Sequence, residues 1–175
     1  MKRITLVMFT VVMFGALTCV QAVAENAQAE VRNLEGEMVG TLSLVQGPDG
    51  VRVTMKASNL PPGFHGFHIH GVGSCEPPFA SAGGHFNPEG KDHPYHAGDL
   101  PNLLVNEDGQ AYMEVTTDRF RVKELLKGDG TALIVHADPD NHANIPKRYA
   151  PEPDQDTLAT GDAGGRIACG VISRK

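Results

Sequence analysis

Basic residues are scarce in this chain. Its 175 residues carry 15 Lys and Arg against 21 Asp and Glu, a formal charge of −6. A net negative chain lacks the electrostatic footprint of a general nucleic-acid binder. It also argues against a basic face for anionic lipids. Beyond residue 24 no apolar run is long enough to span a bilayer, so stable membrane insertion is not expected. There is no internal repeat and no linker, and one domain accounts for the length. Tryptophan is absent, and histidine numbers only 8. Three of those eight, His65, His68 and His70, nevertheless crowd into "FHGFHIHG".

The N-terminus is read separately. Lys2 and Arg3 precede the apolar run "ITLVMFTVVMFGALTCV", and "AVA" at Ala22–Ala24 follows it. A basic start, an apolar stretch and an A-x-A site predict a secretory signal over residues 1–24, cleaved after Ala24. "ALTC" is a poor lipoprotein signal, because Ala16 sits where a larger aliphatic residue is usual. The product is expected in the periplasm or outside the cell. Without residues 1–24, 13 basic and 21 acidic residues leave a charge of −8. Of three cysteines, Cys19 leaves with the signal. Cys75 and Cys169 remain, 94 positions apart, and two cysteines in an exported chain are expected to pair.

Short alternating runs dominate the rest. In "VRVTMKA", Val51, Val53, Met55 and Ala57 share one face, and Arg52, Thr54 and Lys56 the other. The turn "GPDG" joins it to "EMVGTLSLVQ" as a hairpin. "GFHIHG", "QAYMEVTT", "TALIVHA" and "RIACGVIS" read as further strands, and "RFRVKELLKG" as a connection with one helical turn. Residues 25–30 read as a loose start. The spacing predicts an all-β sandwich or barrel. Residues 73–100 and 137–165 carry no strand pattern and are rich in Gly, Pro, Asp and His. Loops of this length inside a domain are usually functional or disordered, and residues 150–160 leave room for local mobility.

Alternation puts Phe67 and Ile69 toward the core and His68 and His70 on the opposite, outward face. His136 in "TALIVHA" can share that outer face, whereas His65 falls on the Phe67 side. An H-x-H alone fits a solvated strand face as well as a metal. The loop "GGHFNPEGKDHPYHAGD" adds His85, His93, His96 and Asp99, and three imidazoles with one carboxylate make a plausible tetrahedral zinc set.

With these residues in view, the chain resembles the bacterial secreted copper/zinc superoxide dismutases. The resemblance spans essentially all of residues 25–175. It is carried by "GFHIHG", "SAGGHFNP", "HAGDLPNL", "VHADPDNH" and "GDAGGRIACGVI". It implies a Greek-key β-sandwich or flattened barrel with two long functional loops. It implies copper on His68, His70, His85 and His136, and zinc on His85, His93, His96 and Asp99. His85 would serve both ions, held about 6 Å apart by metal–nitrogen bonds of about 2.0 Å. Cys75 and Cys169 match the family's disulfide, and Arg166 its arginine at the substrate mouth. Asp140 matches the carboxylate joining a copper histidine to a zinc histidine, with Asp138 a nearby competitor. Thr160 matches a hydroxyl residue of the channel.

The implied activity is dismutation: one superoxide is oxidised to dioxygen and a second, with two protons, is reduced to hydrogen peroxide. The alternative is a non-enzymatic secreted protein that binds copper and zinc. Two departures stand out. "EPPFASAGG" between Cys75 and His85 resembles bacterial rather than animal members, and Ala159 replaces a lysine common in animal members. Lys147, Arg148 and Lys91 are the remaining candidates for guiding superoxide. A homodimer is possible, but dimer contacts differ between branches of the family.

Overall fold

Alternation of apolar with polar residues places the first strand where the sequence suggested none. In the computed structural model, which describes residues 25–175, β1 runs over Asn26–Asn33. It buries Ala27, Ala29 and Val31 and exposes Gln28, Glu30 and Arg32. The loose start expected over residues 25–30 is thus a central strand. The expected signal over residues 1–24 lies outside the described residues.

The hairpin forms as expected. β2 (Met38–Gln46) and β3 (Val51–Ala57) pair from Gly40↔Ala57 to Gln46↔Val51, and Gly47 N–H donates to Gly50 O at 2.8 Å across the turn. The third expected strand divides at Gly66 into β4 (Gly63–His65) and β5 (Phe67–His70). β4 pairs with β6 (Leu103–Val105). β7 (Ala111–Thr117) lies beside β3. A single helical turn, α1 (Val122–Leu125), follows and leads to β8 (Ala132–His136). Next come α2 (Gln155–Thr160), β9 (Arg166–Val171) and β10 (Ser173–Arg174). The 150–160 segment, which left room for local mobility, contains α2, capped by Asp154, whose side chain accepts from Thr157 N–H at 2.9 Å.

The strands pair antiparallel in the order β5-β8-β9-β1-β2-β3-β7, with β10 beside β1. The sheet curls as a Greek-key barrel, since β9 returns to lie beside β1. Val31, Leu42, Leu44, Val53, Met55, Phe67, Ile69, Leu133 and Val135 fill its interior. A second apolar cluster of Phe79, Ala82, Ala132, Ile134 and Cys169 lies on the other face of β8 and β9, beneath the 73–100 loop. Among the described residues no helix is long and apolar enough to cross a membrane.

Among the described residues no strand covers the free edge of β5, and the 73–100 loop takes that place. Ile69 N–H donates to Gly98 O at 2.9 Å, Phe86 N–H to Ile69 O at 2.8 Å, and Gly98 N–H to Phe86 O at 2.8 Å. Unpaired strand edges need such cover. A Cβ on Gly98 would collide with the Ile69 carbonyl, so only glycine allows this approach. The zipper sets His70 opposite His85 and His68 opposite Asp99.

Candidate metal centre

His68 and His70 do lie on the face of β5 opposite Phe67 and Ile69, but not in solvent. The loop laid over β5 buries them to 0% and 1% exposure. The expectation of an outward-facing pair is corrected: that face is a second interior. His136 reaches it from β8, where a register shift between Val135 and His136 pairs His136 with Arg166 of β9. Such bulges re-aim a side chain. His65 points elsewhere. Its ring nitrogens meet His136 O at 2.7 Å and Pro61 O at 2.8 Å, so it supports the site from behind.

Hydrogen bonds fix which nitrogen is free on His68, His70 and His136. Carbonyls and ionised carboxylates only accept, so the ring nitrogen facing one must carry the proton. His70 Nδ1–H donates to Gly83 O at 2.8 Å and His136 Nδ1–H to Gly164 O at 3.2 Å. His68 Nε2–H donates to Asp140 Oδ2 at 2.9 Å. The lone pairs left over are His68 Nδ1, His70 Nε2 and His136 Nε2. The last two face each other at 3.4 Å, and His68 Nδ1 is buried with no partner. Bare lone pairs so placed repel and are costly to bury. A cation between them removes both penalties, and neutral imidazoles suit copper. Burial, and the neighbouring His85 imidazole, push His68 down to about 4 and His70 to about 2. Burial and His68 push His136 to about 3. All three stay in the metal-binding form.

The second set meets on the other side of His85. His85 Nδ1 lies 2.7 Å from Asp99 Oδ1 and 3.2 Å from His96 Nδ1. His93 Nε2–H donates to Asp140 Oδ1 at 2.8 Å, which leaves its Nδ1 lone pair 3.0 Å from Asp99 Oδ2, outside hydrogen-bond geometry. Burial disfavours a charged His93, but Asp140 and Asp99 outweigh it and raise the group to about 9. Without an ion a proton relieves this contact; with one, the ion takes the proton's place. Three imidazoles and a carboxylate match zinc's donor set. His68, His70, His85 and His136 form one group with donor atoms within 4.8 Å of one another, and His85, His93, His96 and Asp99 a second; His85 belongs to both.

Asp140 joins the two sets, one oxygen to His68 and the other to His93, at 3% exposure. Hydrogen bonds to these imidazoles hold its carboxyl far below the usual range despite burial. Its rival Asp138 is exposed and packs against Gly164 instead. Asn102 fixes Asp140 in turn, donating to its carbonyl at 2.9 Å and accepting from its N–H at 2.8 Å. Asn102 lies in "HAGDLPNL", yet nothing in its residue type announced this role. Gly161 closes α2 at φ 63, and a Cβ there would strike Asp140 Oδ1. Thr160 is exposed, with its hydroxyl donating to Asp156 O at 2.8 Å.

Cys75 and Cys169 form the expected disulfide, with Cα atoms 5.7 Å apart. It staples the loop to β9. Four residues past Cys75, Phe79 O accepts from Arg166 Nη1 at 2.5 Å, and Gly83 O accepts from Nη2 at 2.6 Å. Gly83 O also holds His70, so one carbonyl sets both the arginine and an imidazole of the first donor set.

The likeness to known proteins agrees with this chemistry. A family model described as copper/zinc superoxide dismutase matches residues 38–172. The Superoxide dismutase [Cu-Zn] of Mycolicibacterium paratuberculosis is 41% identical over 90% of this chain and 78% of its own length. That of Photobacterium leiognathi is 37% identical over 98% of this chain and 99% of its own. A crystal structure of a SOD-like protein from Bacillus subtilis superposes with a TM-score of 0.69 at 35% identity, over 82% of this chain and 95% of that one. With a matching family model, whole-length relatives and two donor sets joined by one imidazole, the chain belongs to the copper/zinc superoxide dismutase family.

Proposed function

We propose that His68, His70, His85 and His136 hold copper and that His85, His93, His96 and Asp99 hold zinc, in one exported domain over residues 25–175 that dismutes superoxide. The observation that carries this reading is the sharing of His85 between two buried donor sets whose remaining lone pairs converge. When bound, copper supplies the one-electron exchange with superoxide and zinc supplies fixed charge without redox chemistry. The protein's own groups do the rest. Asp140 keeps the His68 and His93 tautomers in place. His85, with Nδ1 directed to the zinc side, presents Nε2 as the atom that can take up and return a proton. Arg166, half-buried beside His136, offers a cationic fork to a small anion, with two of its five N–H groups tied to carbonyls.

All four copper positions are filled, which counts against a binding protein without activity. Export is supported by the disulfide, a bond that persists in oxidising compartments. A homodimer remains an expectation that sizing of the purified domain checks. To test the function, purified residues 25–175 are loaded with copper and zinc and assayed for superoxide removal. Activity should require copper and disappear in Arg166→Glu with both metals retained. A loaded protein with no activity overturns the reading.

A further inference from the structure

Three of the four zinc donors, His93, His96 and Asp99, sit in a stretch that belongs to no strand or helix. The zipper on β5 fixes its far end at Gly98, but the turn before it needs another hold. Arg119, beyond β7, reaches it. Its Nη1 donates to Pro94 O at 2.8 Å, Asp99 O at 3.2 Å and His96 O at 3.3 Å. Nη1 has two hydrogens, so two of these contacts share one. Two of the carbonyls belong to zinc donors, and the third follows His93 directly.

The foot of this arm is rigid. Phe120, next in sequence, is buried in the barrel core at 2% exposure, and Val122 beyond it at 0%. Val122 N–H donates to Gln46 Oε1 at 3.1 Å. One end of Arg119 is therefore fastened to the core and the other to the zinc turn. Outside lies a cleft of about 530 Å³ whose walls include Asp99, Pro94, His142 and Arg119. Of the four donors only Asp99 lines this cleft, and Arg119 stands in the same wall.

We propose that Arg119 is a positioning residue that clamps the Pro94–Asp99 turn, setting the geometry of the zinc donors and the rate at which zinc leaves. The inference rests on the assignment of zinc to His85, His93, His96 and Asp99. An arginine clamp on backbone carbonyls needs N–H donors at the end of a long stem, and lysine, with three donors on one nitrogen, meets the same need.

The test compares the metal-loaded protein with Arg119→Met, Arg119→Lys and His96→Ala. Zinc release into excess chelator is timed, and the visible spectrum of cobalt(II) placed in the zinc site is recorded. Arg119→Met should release zinc about tenfold faster and shift the cobalt bands, the scale seen when groups that orient metal ligands are removed. Arg119→Lys should return release to within about threefold of the parent. The clamp is overturned if Arg119→Met releases zinc at the parent's rate, or if lysine fails to rescue it. It is also overturned if melting falls in Arg119→Met while the cobalt bands stay in place. His96→Ala separates the clamp from the zinc assignment. Zinc retained in that variant overturns the zinc assignment itself; zinc lost there, with Arg119→Met unchanged, overturns the clamp alone.

Discussion

The two donor sets, proposed here for copper and for zinc, share one imidazole but are built in opposite ways. His68, His70 and His136 stand on β5 and β8, where the pleat sets their direction and backbone carbonyls orient two of the three rings. His85, His93, His96 and Asp99 stand on a loop with no periodic structure around them. Their placement depends on tethers: the zipper at Gly98, the disulfide, the Asp140 bridge and the contacts of Arg119. A strand-borne site is held by the fold itself. A loop-borne site is held by a few named contacts.

Asp140→Asn should break this contrast most sharply. An amide has one oxygen to accept with, so it cannot hold both His68 and His93 in their present tautomers. Metal affinity should fall about 10–100-fold, and further for zinc than for copper, because His70 and His136 keep their carbonyl partners. Competition with chelators of known strength measures both. An equal loss of the two metals would contradict the difference in how they are held.

Reduction of Cys75–Cys169 removes a different tether. The bridge closes a loop of 94 residues, and its loss should cost about 2–4 kcal/mol in stability. Denaturant unfolding with metals bound, with and without reductant, reads this. The catalytic rate should fall as well, since Phe79 and Gly83, which hold Arg166, lie in the freed loop. Unchanged unfolding would mean that the bridge is idle.

Removing both metals sharpens the comparison through pH. Burial lowers His68 to about 4, His136 to about 3 and His70 to about 2, against about 6.5 in an unfolded chain. Between pH 6.5 and 4 the unfolded chain takes up protons that these folded imidazoles refuse, so stability falls as pH falls. His93 acts in the opposite sense. Raised to about 9, its contribution is complete below pH 6.5 and is lost as pH rises through 9. Asp99 and Asp140 are lowered, so their contributions fade only below the ordinary carboxylate range. The metal-free protein should be less stable to urea at pH 5 than at pH 6.5. Equal stability would show that the strand-borne imidazoles are not buried neutral.

The smallest effect is expected from Lys147 and Arg148. Lys147 Nζ lies 3.9 Å from Glu152, both well exposed, and Arg148 stacks on Tyr149 at 4.8 Å. Focusing of anions by local charge is already associated with this family. Because Lys147 and Arg148 have local partners, Lys147→Glu with Arg148→Glu should change the rate less than about twofold. The rate of the parent should fall as salt rises, since screening acts over about 10 Å at 0.1 M. A reversed salt slope in the double variant would make this pair, not Arg166, the main guide.

The contrast also decides what could be read from the chain alone. Period-two alternation in "VRVTMKA" and "GFHIHG" gave the hairpin and the face of the copper-side imidazoles, because strand geometry is local. β1 was hidden because Ala27 and Ala29 are weak apolar signals between polar neighbours. The loop donors were legible as residue types and by resemblance, but the tethers were not. Asn102 on Asp140, Gly98 against Ile69 and Arg119 on the zinc turn join residues some 20 to 40 positions apart. No local pattern marks such partners. The burial of His68 and His70 was missed for the same reason, since the loop that covers them has no period.

Metal content of His85→Ala beside His70→Ala tests the central claim most directly. One imidazole shared by a strand-borne and a loop-borne site predicts that His85→Ala loses occupancy of both metals. His70→Ala should lose copper and keep zinc near one per chain. Full zinc in His85→Ala, or equal zinc loss in the two variants, would contradict the shared bridge.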